Sequence, residues 1–280
     1  MKDISKGRFW DKPWSLVDGC TPCSPGCDHC WSAAMTHRFG KKSVLNPYVS
    51  EFTSPTGRFI GHIKTHPERH SIPLKRRKPT VYACWNDLFH EAVSFQFQLE
   101  AWLTMERSPQ HKFLVLTKRP DKMAYFFGLL HRRAAGLSGI HVLSNLYHGL
   151  TVCNQQEADE KIPVFLQVPG KKFLSIEPML GEIDFKRECF CPVSSPVKIE
   201  RHLIGCPADN KWGIEAVILG GETGPGARPM QIEWVRSVRD QCEAAGIPLF
   251  VKQLHIGGKV SKNITEWPEK LQRRELPWRK

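Results

Sequence analysis

The chain has 280 residues, 41% of them hydrophobic, and a formal charge of +12, enough for one large domain with a buried core and an affinity for polyanions. No apolar run reaches the length of a membrane span, and Met1-Lys-Asp-Ile-Ser-Lys6 lacks the apolar core of a signal peptide, so a cytoplasmic protein is expected. Ten cysteines in so long a chain argue against a secreted disulfide scaffold and for metal ligation plus some buried thiols.

The first apolar run, Trp14–Val17, predicts a strand. Behind it, Gly19-Cys20-Thr-Pro-Cys23-Ser-Pro-Gly-Cys27-Asp-His-Cys30 places four cysteines in eleven positions, and Trp31–Phe39 can continue as helix. Thiolates this close on a Gly- and Pro-rich loop can face one point, as a metal ion or an iron–sulfur cluster demands. Later apolar runs at Thr80–Trp85, Phe113–Thr117, Gly149–Cys153, Phe173–Ile176, Ala216–Leu219 and Pro248–Val251 read as strands buried on both faces of a parallel sheet. Helical patterns fall between them at Phe95–Arg107, Asp121–His131, Asn154–Leu166 and Ile232–Ala245, the last stopping at Gly246. The rhythm predicts an α/β fold, an incomplete (βα) barrel with mostly parallel strands, in a single domain spanning residues 1–280. The segment Phe185–Lys211 breaks it and reads as an insertion at about 185–211, where Cys189, Cys191, His202 and Cys206 form a ligand set that would suit zinc.

In such barrels the reactive groups gather at the carboxyl ends of the strands. Here those ends deliver Asn86 and Asp87, Lys118 and Arg119, Asn154, Glu177, Glu222, and Lys252 and Gln253, with the cysteine loop over the same mouth. A single charged residue after a strand is usually a helix cap or surface ion pair; six strands ending this way weaken that reading. Gly220-Gly221-Glu222-Thr-Gly224-Pro-Gly226-Ala-Arg228 is neither a P-loop nor a dinucleotide fingerprint. Its glycines could bring backbone N–H groups to a ligand, Glu222 could accept from an amino group and Arg228 could clamp an anion, or the segment could be tight-turn architecture. Lys118 and Arg119 could hold an anion or cap the sheet. Glu177, in an apolar setting, needs a functional or ion-paired role. Trp85 and Phe89 could stack a base or pack the core, and Cys84, Cys153 and Cys242 read as core thiols. The basic stretch Lys64–Lys78, with Arg69, Lys75, Arg76 and Arg77, is either a footprint for DNA or RNA phosphates or a solvated loop.

A structural zinc site usually separates its Cys pairs by a dozen or more residues, whereas only Ser24, Pro25 and Gly26 lie between the pairs here. Cys23-x3-Cys27-x2-Cys30 resembles the cluster loop of radical S-adenosylmethionine enzymes. That resemblance implies three thiolates on three irons of a 4Fe–4S cluster. S-adenosylmethionine would chelate the fourth iron, and an electron from a flavodoxin or ferredoxin would cleave it to a 5′-deoxyadenosyl radical. His29, where those enzymes often carry an aromatic residue, and the additional thiol Cys20 depart from the pattern. Together with the cysteine loop, Asp87-Leu-Phe-His-Glu91, Leu116-Thr-Lys-Arg-Pro120, Leu174-Ser-Ile-Glu-Pro178 and Gly220–Pro229 resemble an uncharacterised family of phage and bacterial proteins of radical-SAM-like type. In that family's pattern the cysteines correspond to Cys20, Cys27 and Cys30, whereas spacing alone selects Cys23, Cys27 and Cys30.

The expectation is therefore a radical S-adenosylmethionine enzyme whose substrate the sequence does not disclose, with nucleic acid or nucleotide suggested by charge. Glu177, Lys118 and Asp87 would be catalytic. Gly220, Gly221, Glu222 and Arg228 would contact the cofactor, and Cys20, Cys23, Cys27 and Cys30 would supply the metal ligands. The rival is a zinc-dependent DNA- or RNA-binding phage protein without catalysis.

Overall fold

In the computed structural model, which describes residues 4–40, 50–134, 142–185, 189–190, 198–199 and 213–279, the chain is built on one large sheet. The elements run β1 (Lys12–Trp14), β2 (Val17–Asp18), α1 (Trp31–Phe39), β3 (Lys64–Thr65), α2 (Ser71–Leu74), β4 (Val81–Cys84), α3 (Phe95–Glu106) and β5 (Lys112–Thr117). They continue with α4 (Pro120–Ala134), β6 (Leu146–Thr151), α5 (Gln155–Leu166), β7 (Lys171–Ile176), β8 (Cys189–Phe190) and β9 (Lys198–Ile199). The chain closes with β10 (Ile214–Gly220), α6 (Ile232–Ala245), β11 (Leu249–Ile256) and β12 (Lys259–Ser261).

Eight strands lie in the order β1-β4-β5-β6-β7-β10-β11-β12. The first seven are parallel and β12 returns antiparallel to β11. Strands adjacent in space are also successive along the chain, so each crossover steps the same way, and right-handed crossovers then place the helices on one face. β1 and β12 are the two edges of the sheet, and among the described residues no pairing closes it. The mixed α/β architecture with mostly parallel strands is as expected; closure into a barrel is not shown.

Burial on both faces explains the continuous apolar runs. On the helical face, Phe113, Val115, Leu150, Leu174, Val217 and Val251 pack against Phe97, Met105, Phe126, Ile162, Phe165 and Val238. The opposite face carries Val81, Leu114, Tyr147, Phe173, Ile218 and Phe250, and the chain termini cover it with Phe9, Leu276 and Trp278. Trp278 stands edge-on to Tyr147 at 5.1 Å, and its indole N–H donates to the Phe9 carbonyl at 3.0 Å, so the two termini are tied together beneath the sheet. Gly149 is required on this face: a Cβ there would lie 2.3 Å from the Phe173 ring.

The expected helices at Trp31–Phe39 and Ile232–Ala245 are found within those bounds, and Asn154 caps α5 by accepting from the Glu157 N–H at 2.9 Å. The run Trp14–Val17 is instead divided. Arg69 donates to the Ser15 carbonyl at 2.7 Å and Trp14 to the Arg69 carbonyl at 2.9 Å, which turns the chain so that β2 leaves the sheet and pairs with β3. The strand read at Gly149–Cys153 begins at Leu146 and ends at Thr151, because the Cys153 N–H is taken by the Glu157 carboxylate rather than by a neighbouring strand. No helix among the described residues is long and apolar enough to cross a membrane. Cys191, His202 and Cys206 of the expected zinc set lie outside the described residues, and of Cys189 only the backbone is described.

Candidate active site

The cysteine loop crosses the carboxyl ends of the parallel strands. Ser24 caps a tight turn at Pro25–Cys27, its hydroxyl accepting from the Gly26 N–H at 3.1 Å, and Cys30 leads into α1. Gly26 packs directly onto Cys153 at the end of β6; a Cβ there would sit 2.4 Å from the Cys153 sulfur, so no other residue fits. Ala33, Phe52 and Phe59 form a small apolar pad against which Cys20 and Cys30 rest. All four thiols, Cys20, Cys23, Cys27 and Cys30, line one cleft of about 190 Å³, and Asp87, Lys118, Arg119, Glu177 and Lys252 line it with them.

The thiols are electrostatically unequal. The neighbouring Cys23 thiol, together with Lys118, lowers the Cys27 thiol to about 5 against the opposing effect of burial. The interaction with Cys27, reinforced by burial, pushes the Cys23 thiol up. Burial, aided by Asp87, raises Cys20 to about 11, and burial raises Cys153 to about 12. Burial disfavours the Lys118 ammonium, yet the sulfurs of Cys27, Cys153, Cys30 and Cys23 around it raise its pKa overall. A thiolate beside a fixed cation is the form in which cysteine ligates metal. Among the described residues, no three His, Cys, Asp or Glu side chains are already gathered as a ligand set for a single metal ion.

Two arginine–carboxylate pairs hold the loop from opposite sides. Arg119, 8% exposed, donates to Asp87 at 2.9 Å, to Glu91 at 2.7 Å and to the Thr21 carbonyl at 2.9 Å. Asp87 also accepts from the Thr117 hydroxyl at 2.7 Å. On the other flank Arg228 forms a two-point pair with Glu222 and donates to the Pro25 carbonyl at 2.8 Å, with Asp28 3.4 Å away. Burial opposes the Glu222 charge, but the Arg228 hydrogen bonds hold its carboxyl below the usual range.

This arrangement gives the glycine-rich segment a different position from the one its composition suggests. Gly220, Gly221, Glu222 and Arg228 do not line the cleft. Gln253 donates to the Gly221 carbonyl at 2.7 Å, and His255 donates to the Glu222 carbonyl at 3.0 Å while accepting from the Met230 N–H at 2.9 Å. The segment is thus fastened to β11 and in turn fastens the cysteine loop. Asp87, expected as a catalytic group, is engaged by Arg119 in the same manner.

Glu177 and Lys118 do reach the cleft. Glu177 pairs with Lys252 at 2.8 Å and accepts from the Ser175 hydroxyl at 3.2 Å. Lys252 was visible in the sequence as a strand end, but its pairing with Glu177 follows only from the adjacency of β7, β10 and β11. An aromatic rim completes the mouth: Trp85 stands edge-on to Trp31 at 5.1 Å and to Trp10 at 5.8 Å, and Trp31 is 49% exposed. Sequence reasoning missed Trp10 and Trp31, although Trp31 follows Cys30 directly. Asn86 adopts a left-handed φ of 59°, rare for a side-chain-bearing residue. The Ser32 hydroxyl donating at 2.6 Å and the Val17 carbonyl accepting at 2.7 Å fix it there, which locks α1 to the sheet. Phe89 and Cys242 are core residues, and Cys84 forms part of the cleft floor.

No curated protein and no solved structure matches the chain. The family model described as "Protein of unknown function (DUF5131)" matches residues 5–278, and the chain belongs to that family.

Proposed function

We propose that the protein is a radical S-adenosylmethionine enzyme whose cysteine loop holds a 4Fe–4S cluster over the open end of the sheet. One observation carries the reading: four thiols from a single loop line one cleft at the carboxyl ends of parallel strands, with the Lys118 ammonium among them. The donor set fits such a group, since Cys27 and Cys30 with either Cys20 or Cys23 provide three sulfur ligands and leave one iron free. When bound, the cluster would supply one electron for reductive cleavage of S-adenosylmethionine.

The chain's own residues have separable tasks. Arg119 and Arg228 set the height and tilt of the loop through the Thr21 and Pro25 carbonyls. Lys118 offsets the negative charge that ligating thiolates accumulate in a partly closed cleft. Glu177 and Lys252 present an acceptor and a donor of opposite charge side by side, the pattern that receives the ammonium and carboxylate of an amino acid zwitterion. The aromatic rim offers ring faces to a nucleoside.

The test is to purify and reconstitute the protein without oxygen, then supply dithionite and S-adenosylmethionine. The expected outcome is a brown protein with about four irons per chain that releases 5′-deoxyadenosine. A colourless protein carrying stoichiometric zinc would support the zinc-dependent nucleic-acid-binding reading instead.

A further inference from the structure

The basic stretch divides in the fold. His66 is held by Asp18 at 2.8 Å and Glu68 at 3.0 Å, Arg69 by the Ser15 carbonyl, and His70 lies 3.4 Å from Glu100, so these residues serve local structure. The remaining cations behave differently. Lys75, Arg76, Arg77 and Lys78 form a turn ahead of β4, and together with Lys12 and Ile72 they line an open groove of about 380 Å³ with Tyr82. The turn is anchored by its backbone. His111 donates to the Pro73 and Arg76 carbonyls at 3.0 and 2.9 Å, and Arg76 donates to the Thr80 hydroxyl at 2.6 Å. Lys12, Lys75, Arg77 and Lys78 are exposed, and among the described residues none of them forms an ion pair. Asp11, beside Lys12, is already taken by Arg279 at 2.9 Å and by the Val81 N–H at 2.8 Å.

A second observation comes from the groove's tyrosine. Tyr82 is 1% exposed, yet its hydroxyl has no hydrogen-bond partner among the described residues. Buried hydroxyls are ordinarily satisfied, so a donor left open beside five cations suits an anionic oxygen. Lys12 and Tyr82 are register partners near the starts of β1 and β4, which places the groove at the amino ends of the strands, away from the cysteine cleft.

We propose that this groove binds the phosphodiester backbone of a nucleic acid, at the end of the sheet opposite the cysteine cleft. Five cations exceed what one phosphate can neutralise, so the ligand is a polymer carrying several phosphates, drawn in by the net charge of +12. The inference does not depend on the cluster: the groove shares no residue with the cleft.

The test uses the full chain and a fluorescein-labelled single-stranded 20-mer, with anisotropy read between about 50 and 200 mM salt, where affinity carried by phosphate contacts falls steeply. The triple variant Lys75→Gln, Arg77→Gln, Lys78→Gln should lose about tenfold or more in affinity, and its salt slope should flatten by about 2, since each phosphate contact on a single strand contributes about 0.7. Its melting temperature should match the parent, because all three side chains are exposed. Tyr82→Phe should weaken binding severalfold without changing the slope. A control of equal charge, Lys259→Gln, Lys262→Gln, Lys270→Gln, should bind as the parent does. Equal losses in both triples, unchanged affinity in Tyr82→Phe, equal competition by polyglutamate, or no binding at the lowest salt would each overturn the proposal.

Discussion

Replacing Arg228 with alanine separates a clamp from a ligand contact. In the parent, Glu222 is 4% exposed and its carboxylate takes two bonds from the Arg228 guanidinium and one from the Arg228 N–H at 2.9 Å. The variant keeps only the backbone donor. Deleting one partner of a buried pair costs about 3–5 kcal/mol, and because the guanidinium is 32% exposed, solvent screening reduces the expected loss to about 2–3 kcal/mol. For a domain of this size that is a fall of roughly 4–12 °C in melting temperature. The pair should also weaken on acidification. The Glu222 pKa is lowered in the fold, so its contribution is present above the unfolded value of about 4.3 and is lost as pH falls through the folded one. Loss of the Pro25 anchor should further expose the loop, so Cys23 and Cys27 should react faster with a thiol reagent. Scanning calorimetry and thiol titration on metal-free protein, without oxygen, read both effects. A variant with an unchanged melting point and unchanged thiol reactivity, but impaired S-adenosylmethionine binding, would refute the clamp and restore Arg228 as a ligand contact.

Three other outcomes are expected. Cys27→Ala and Cys30→Ala should each abolish iron retention, while of Cys20→Ala and Cys23→Ala one should retain iron and the other lose it; retention by both would contradict the proposed ligand set. Glu177→Gln should raise the dissociation constant for S-adenosylmethionine about tenfold or more with iron content unchanged, as fits loss of a charged hydrogen bond; unchanged affinity would remove Glu177 from the site. At the amino end of β7, burial lowers the Lys172 pKa from 10.5 to about 7, against the attraction of Glu215. The folded state then binds fewer protons than the unfolded one between those values, so stability should rise with pH across that window. Lys172→Met should therefore be more stable than the parent near pH 7 by about 1–3 kcal/mol, with a gap that narrows toward pH 10, as urea titrations at several pH values would show.

The parallel sheet was legible because its strands are buried on both faces and so leave unbroken apolar runs such as Phe113–Thr117 and Phe173–Ile176. The cysteine loop was legible because four thiols in eleven positions have few structural explanations. What stayed hidden depends on long-range pairing. The ion pair of Glu222 with Arg228 spans six residues, but its purpose appears only when Pro25, some two hundred positions earlier, is found beneath it. Asp87 and Arg119 likewise look like free rim groups until Thr21 is placed between them and the loop. The terminal plug escaped notice because Phe9 and Trp278 lie far apart in the chain and belong to no periodic element, meeting only once the chain is folded. Within the basic stretch, composition treated all cations alike, whereas the fold uses His66 and Arg69 locally and leaves Lys75, Arg77 and Lys78 open.

The proposed function requires that the cleft thiols hold a cluster with one coordination position free, and iron-specific spectroscopy tests this most directly. Electron paramagnetic resonance of reduced, oxygen-protected protein should show a 4Fe–4S signal that shifts when S-adenosylmethionine is added, as it would if the ligand reached an iron left without a thiolate. A signal that S-adenosylmethionine leaves unmoved, or its absence after iron and sulfide reconstitution, would contradict the claim.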